Sequence, residues 1–151
     1  MVGAGMILGG LLITYFAIVF LWWILQVVAN WRVFTKAGEA GWKSIIPIYA
    51  DYITYKIAWK KSYMFWIWLI GSVLMVYGAS SIDTGTAASV SSSMLGTIGA
   101  LAAFVSYALM NVKKAAAFGH GILFAIGMLF FPPIFTMILG FGSSVYYGPQ
   151  D

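Results

Sequence analysis

The chain has 151 residues, of which 62% are hydrophobic and only 8% are charged. A soluble domain usually carries about 25% charged residues and covers its surface with them, so this composition excludes a soluble enzyme, a disordered tail and a nucleic-acid-binding module. Lipid needs no charged side chains facing it, and we therefore expect a single integral membrane domain over residues 1–151. Cysteine is absent, which rules out a disulfide framework and any thiolate metal site.

The first predicted membrane span covers residues 6–30, an almost continuous apolar stretch with no charged side chain before Arg32. It is longer than the apolar core of a signal peptide, and no basic residue precedes it, so we expect it to be retained. Residues 32–61 then contain six of the eight basic side chains. This concentration of charge indicates a connection at a membrane surface.

Within that connection, residues 41–61 are too apolar and too aromatic for a solvated linker. If Pro47 occupies the first turn, where a missing N–H costs no hydrogen bond, the segment predicts a short helix with a broad apolar band. Such a helix either lies in the headgroup layer, which is the primary expectation, or folds back among the spans. The residues expected to face the interface or a partner are Trp42, Pro47, Tyr49, Tyr52, Tyr55 and Trp59.

Three further spans are predicted over residues 62–79, 94–112 and 121–141, each apolar and free of charged side chains. The small polar residues at 80–93 have no apolar periodicity and indicate an aqueous loop. The predicted fold is therefore all-α, a four-transmembrane-helix bundle with a short aromatic amphipathic helix on the cytoplasmic face.

His120 lies in a short break between Gly119 and Gly121, before the last predicted span. It is the only histidine and lacks thiol or clustered carboxylate partners, so no metal site is predicted. A lone imidazole could bind a pigment or haem axially, which makes His120 the single candidate for cofactor binding, but a residue at a helix break is the expected role and no cofactor is predicted. Pro132 and Pro133 remove two backbone donors and should kink the last span.

All eight Lys and Arg residues fall in the two connections predicted on one side of the membrane. Basic residues near span ends stay cytoplasmic, so both basic connections are expected inside and both termini outside. Lysines at the inner surface also attract anionic lipid headgroups. The expected partners are therefore the lipid bilayer and other membrane subunits, with no nucleic acid.

Several short motifs occur in a fixed order along the chain. They are Lys36-Ala37-Gly38-x-x-Gly41-Trp42, Ile46-Pro47-Ile48-Tyr49, Phe118-Gly119-x-Gly121, Phe131-Pro132 and Ile138-Leu139-Gly140-Phe141-Gly142. Together they resemble the ordered motifs of a family of small bacterial multi-spanning membrane proteins of unknown function, some of whose members are labelled signal peptidase. The resemblance implies a bacterial plasma membrane location and a membrane fold, and no mechanism. Ala50 and Ser143 depart from the family pattern, which usually has Asn and Asp there.

The serines at 91–93 resemble the segment around a signal peptidase nucleophile, which needs a lysine base within about 3 Å. Lys113 and Lys114 lie about 20 residues along the same predicted helix, roughly 30 Å away at 1.5 Å per residue. A pair between Ser143 and His120 is also excluded by the predicted span, which places them at opposite ends. No catalytic residue is therefore predicted.

The predicted spans contain neutral polar residues only, whereas transport pathways usually retain ionisable groups. The leading functional expectation is a non-catalytic accessory or assembly subunit that packs in a larger membrane complex. The alternative is a small-solute channel or transporter built around the kinked last span, and a membrane-embedded peptidase is the least favoured. The neutral polar residues are Thr14, Gln26, Ser72, Ser106, Asn111 and Thr136.

Overall fold

Helices account for most of the described residues in the computed structural model, which describes residues 2–80 and 87–151. The described ranges contain no strand, only an isolated bridge between Trp59 and Gln150, so the all-α expectation is confirmed. The elements are α1 (Val2–Lys36), a 3-10 helix (Gly41–Ile45), α2 (Pro47–Ala58), α3 (Met64–Ser80), α4 (Ala87–Ala117), α5 (Ile122–Phe130) and α6 (Pro132–Phe141).

Glycine ends the two longest helices in the same way. Gly38 follows α1 with a φ of 78°, and Gly119 follows α4 with a φ of 72°. After each glycine, the next amide donates to the carbonyl five residues earlier, at 2.9 Å and 2.8 Å respectively. This is the Schellman cap, which needs a left-handed residue and therefore favours glycine. Two of the sequence motifs thus contain helix stops.

The pair formed by α3 and α4 depends on glycines that bring the two backbones together. A Cβ on Gly78 would lie 2.5 Å from the Cα of Gly96, and a Cβ on Gly71 would lie 2.6 Å from the carbonyl oxygen of Gly99. Small residues allow this kind of close packing between apolar helices.

The polar loop predicted over residues 80–93 is shorter than expected. Residues 81–86 lie outside the described ranges, but α4 has already begun at Ala87. Its serine hydroxyls donate to carbonyls in the preceding turn, with Ser92 bonded to Ser89 at 3.0 Å and Ser93 to Val90 at 2.9 Å. Because the hydroxyls are satisfied within the helix, a serine-rich sequence here extends α4 instead of forming a loop.

The segment predicted as one continuous last span, 121–141, is a hairpin of two short helices. α5 ends at Phe130, and Pro132 starts α6 in the first helical position. Phe135 packs on Gly127 across the turn, as expected for two helices that run in opposite directions. The expectation of a single kinked crossing is therefore wrong. The tandem prolines start a new helix, and the chain reverses direction at the turn before them.

The two ends of the α5–α6 hairpin meet. His120 Nε2, before α5, lies 2.8 Å from Ser144 Oγ, after α6. The Lys36 ammonium at the end of α1 also donates to the carbonyls of Leu139 and Gly142, at 2.7 Å each. A cation at this position satisfies carbonyls that the last turn of α6 leaves without a helical partner, and it fixes the base of the hairpin to α1.

The helices form a row, α3–α4–α5–α6–α1, that is joined at one end by α2 and the 3-10 helix. α2 packs mainly on α4, and its Ile53, Tyr55 and Ile57 are at most 3% exposed. One face of α2 is therefore packed against the other helices. The core beside it is made of buried residues from α1, α2, the α4–α5 region and α6, namely Val33, Phe34, Ile53, Ile57, Ala115, Ala117, Phe118, Ala125, Met128 and Leu139.

Two of the described helical segments, Gly5–Lys36 and Ser89–Ala117, are long and apolar enough to cross a membrane. Met64–Ser80 and Pro132–Phe141 are apolar but shorter. By length and composition, the two long segments favour a membrane location.

The α3–α4 contact predicts that one added methyl group will destabilise the fold. Gly78→Ala should lower the free energy of unfolding by about 1–3 kcal/mol, because the new Cβ must push two backbones apart. Gly10→Ala is the matched control, since nothing lies within 4 Å of a Cβ there and alanine favours helix by up to about 1 kcal/mol. Thermal unfolding of both variants in the same detergent tests this, and equal stability of the two would contradict the proposed contact.

The hairpin predicts a specific cross-link. The chain has no cysteine, so His120→Cys with Ser144→Cys should be joined efficiently by a short bifunctional thiol reagent. His120→Cys with Phe131→Cys is the control, because these residues lie at opposite ends of α5, about 13 Å apart or more. Intact-mass analysis gives the yield, and a continuous crossing helix would leave both pairs unlinked.

Candidate functional site

The C-terminal tail lies at the end of the molecule where the cationic residues collect. The Gln150 amide donates to the Ala58 carbonyl at 3.0 Å, and the Lys60 amide donates to the Gln150 carbonyl at 2.9 Å. Asp151 pairs with Lys60 at 2.7 Å and accepts a hydrogen bond from Lys113. We call this the basic end, and its cations are Arg32, Lys36, Lys43, Lys56, Lys60, Lys61, Lys113 and Lys114.

This position of the tail corrects the predicted topology. Because the α5–α6 hairpin returns to its starting level, the tail lies beside α2 and the end of α4. The expectation that the C-terminus lies on the side opposite the basic connections is therefore wrong. The N-terminus of α1 and the tail lie at opposite ends of the molecule.

His120 holds the base of the hairpin. Its ring stacks on Phe124 with centroids 4.1 Å apart, and its Nε2 contacts Ser144. The adjacent Gly119 has no room for a side chain, because a Cβ there would lie 2.6 Å from the Tyr147 ring. The sequence placed His120 and the serines after α6 at opposite ends of a span, and the structure brings His120 and Ser144 together. These contacts give the imidazole a packing role.

The predicted interfacial aromatics form a stack that runs from the surface into the core. Trp42 stacks on Tyr49 with centroids 6.5 Å apart, Tyr49 on Tyr52 at 6.2 Å, and Tyr52 meets the edge of Phe65 at 5.4 Å. Tyr55 contacts the same Phe65 ring at 6.0 Å. Exposure falls along this run from 51% at Trp42 to 1% at Tyr55, so only the first members can face an interface or a partner.

Trp59 and Pro47 occupy separate positions from this stack. Pro47 is exposed and begins α2, as its missing N–H favours. Trp59 is 6% exposed and lies beneath the Lys113 ammonium, 5.6 Å from the ring centroid. It belongs to the junction between α2 and the tail, so it is not an interfacial side chain.

A buried polar cluster that the sequence did not indicate lies between α2 and α4. The Tyr55 hydroxyl lies 3.2 Å from the Ser106 hydroxyl, which donates to the Met64 carbonyl at 2.8 Å. Asn111 donates to the Tyr107 carbonyl at 2.9 Å. Ser106 and Asn111 are at most 3% exposed, and paired polar groups of this kind fix the register of two packed helices.

Asp51 and Lys114 extend this cluster toward the basic end. Lys114 is only 5% exposed. This burial was not expected, because Lys114 lies after the predicted span 94–112, in a basic connection at the membrane surface. Asp51 keeps part of its side chain exposed, but burial of its carboxyl raises the pKa to about 6, and the positive charge of Lys114 opposes that rise. The site therefore contains a carboxyl group whose pKa is raised to about 6 and on which the charge of a buried lysine acts.

The spacing of the α4 residues could have revealed this cluster. Tyr107, Asn111 and Lys114 are three and four positions apart, which places them on one face of a helix. Asp51 and Tyr55 are likewise four apart on α2. The described residues contain no group of three or more His, Asp or Glu side chains that could hold a metal ion. The arrangement can exchange a proton at Asp51, and it offers no nucleophile paired with a base.

Asp51→Asn should change how stability depends on pH. The pKa of Asp51 is about 6 in the fold and ordinarily 3.8, so the folded chain binds more protons than the unfolded chain between these values. Its stability contribution is therefore greatest at low pH, is lost as pH rises through this window, and stays lower above it. The melting temperature of Asp51→Asn relative to wild type should rise between about pH 4 and pH 7.

The matched control for that measurement is Asp151→Asn. The hydrogen bond from Lys60 lowers the pKa of the Asp151 carboxyl, so this variant should show no such rise. A constant melting-temperature difference between Asp51→Asn and wild type across the same pH range would contradict the assignment.

A family model described as a family of unknown function, DUF5684, matches residues 42–149. No curated protein and no solved structure matches the chain. The matched region runs from the exposed end of the aromatic stack through α2, α3, α4 and the hairpin into the tail, and α1 lies before it. The expectation of an uncharacterised family is thus confirmed, and the chain belongs to DUF5684, a family of unknown function.

Proposed function

We propose that the chain is a non-catalytic multi-pass protein of the bacterial plasma membrane that serves as an accessory or assembly subunit of a larger membrane complex. In this proposal α1, α3 and α4 cross the bilayer. The α5–α6 hairpin enters from the basic end and returns to it. The proposed topology thus has three crossings and a re-entrant hairpin in place of the four crossings expected from the sequence.

The helix lengths support this arrangement. At 1.5 Å per residue, the 17 residues of α3 span about 25 Å, close to the roughly 30 Å hydrocarbon core. The hairpin helices have nine and ten residues, so each reaches only about 15 Å. Gln26 Nε2 lies 3.5 Å from the Pro133 carbonyl oxygen at the hairpin turn. Gln26 is ten residues from Lys36, which is again about 15 Å along α1, so the turn lies about that far from the basic end.

The charge distribution supports an orientation. Every Lys and Arg belongs to the basic end, and basic residues near span ends remain in the cytoplasm. In the proposed topology the N-terminus of α1 is therefore extracytoplasmic, whereas α2 and the C-terminal tail are cytoplasmic.

The observation that carries the subunit proposal is the isolation of the N-terminal half of α1. Its 18-residue apolar window is 0% buried, and Leu12, Ile13 and Phe16 are 57–73% exposed. α1 packs on α6, the 3-10 helix and α2, all toward the basic end. The hairpin fills only the half of the molecule at the basic end. The halves of α1 and of the α3–α4 pair that lie away from the basic end therefore face an open space. A transmembrane helix of a partner subunit could fill it by van der Waals packing.

The other two functions receive less support. A broken helix can present carbonyls to a solute, but the Pro133 carbonyl faces Gln26 on α1. A peptidase would need a lysine base beside the serines at 91–93, whereas Lys113 lies at the other end of α4, about 30 Å away.

Site-specific photo-cross-linking in native membranes tests the proposal. A photoreactive side chain is introduced at each position from Leu8 to Trp23, and protein adducts should recur with a helical period, on one face of α1. Val105, exposed on the half of α4 nearer the basic end, is the control for random capture in a crowded membrane. The subunit proposal fails if no α1 position gives a protein adduct above the yield at Val105.

A further inference from the structure

Two cations lie together in a groove on the outward face of the α1–α6 pair. The groove has a volume of about 440 Å³ and is lined by Trp31, Arg32, Thr35, Lys36 and Gly140. Arg32 and Lys36 are four residues apart on α1, a spacing at which like charges repel one another and destabilise a helix. An anion in the groove would relieve this repulsion.

The chain itself does not provide that anion within its described ranges. There, Glu39 is paired with Lys43 and Lys56, Asp151 is paired with Lys60, and no carboxylate is ion-paired with Arg32 or Lys36.

The two cations nevertheless keep donors for a ligand. Lys36 directs two hydrogen bonds to carbonyls at the end of α6, and an ammonium has three donors. The Arg32 guanidinium lies over the Phe141 ring, 5.1 Å from its centroid. Stacking uses the face of the guanidinium and leaves the N–H groups at its edge for a bidentate oxyanion.

An apolar groove begins at the same phenylalanine. Its volume is about 630 Å³, and it runs beside α6 toward Trp22. Trp22 is ten residues from Arg32, so this second groove extends about 15 Å along α1 from the cations. Its lining residues are Trp22, Ile134, Met137, Ile138, Phe141 and Gly142.

We infer that the outward face of the α1–α6 pair binds one anionic phospholipid, with its phosphate between Arg32 and Lys36 and an acyl chain in the groove beside α6. A cationic pocket that continues into an apolar groove matches a charged headgroup attached to a hydrocarbon chain. Trp31 also lines the cationic pocket, and indole rings prefer headgroup depth. This inference rests on the membrane location in the proposed function and is independent of the partner subunit.

Lipid binding to the full-length protein in neutral detergent tests the site, with phosphatidylglycerol and phosphatidylcholine of the same chain length as probes and native mass spectrometry as the readout. Wild type should bind phosphatidylglycerol at least about tenfold more tightly than phosphatidylcholine. Arg32→Gln should lower the phosphatidylglycerol affinity about tenfold, because one charge-assisted bidentate contact is lost. Lys61→Gln is the matched control, since it removes one exposed charge from the same end and should change the affinity less than twofold.

A second variant tests the apolar half of the site. Ile138→Trp fills the groove and should weaken phosphatidylglycerol binding while the melting temperature without lipid stays at the wild-type value. The inference is overturned if Arg32→Gln binds as wild type does, if Lys61→Gln loses as much affinity as Arg32→Gln, or if phosphatidylcholine binds equally well. Competition by glycerol 3-phosphate at the lipid's own concentration would also overturn it, because the site would then take a soluble anion.

Discussion

The reversal of the chain at Phe131 is the constraint on which the rest of the structure depends. Proline at the start of α6 has no N–H to continue α5, and the chain turns back instead of extending. The contact between His120 and Ser144 closes the base of the hairpin, and the Lys36 ammonium attaches that base to α1. The hairpin then separates α1 from α4, so the two long helices meet only through shorter elements at the basic end.

That reversal explains why most of the buried core residues lie toward the basic end. α2 lies across the ends of α1 and α4, and the returning tail adds hydrogen bonds to Ala58 and Lys60. Tyr55, Ser106, Asn111 and Lys114 are buried there, with the Tyr55 and Ser106 hydroxyls in contact and the charge of Lys114 acting on Asp51. Of the described residues, the opposite end holds only the close α3–α4 pair and the isolated half of α1. In the proposed membrane orientation, the buried core therefore lies in one leaflet, and the exposed surface that we propose binds a subunit lies in the other.

Some elements could be predicted from the sequence, whereas others depend on tertiary contacts. The helix stop at Gly119 and the start at Pro47 follow from local backbone chemistry, and each lies where the sequence predicted it. The stop at Gly38 follows from the same chemistry, but the sequence analysis ended the first span at residue 30. The tandem prolines indicated an interruption of the helix after residue 130. They do not distinguish a kink from a full reversal, because the same backbone donors are missing in both. The choice between them depends on contacts such as His120 with Ser144, 24 residues apart, which no local pattern specifies.

Composition and charge by themselves determined that the chain is helical and apolar, with its cations concentrated in two short stretches, because these properties follow from residue type and local spacing. Only the tertiary structure decided that residues 121–141 turn back, that the tail joins the basic end, and that Asp51 lies near Lys114. Each of these depends on which distant surfaces come into contact. An apolar sequence permits many pairings of helix surfaces, since nonspecific burial favours all of them. Close glycine contacts and a few buried hydrogen bonds select the pairing that forms.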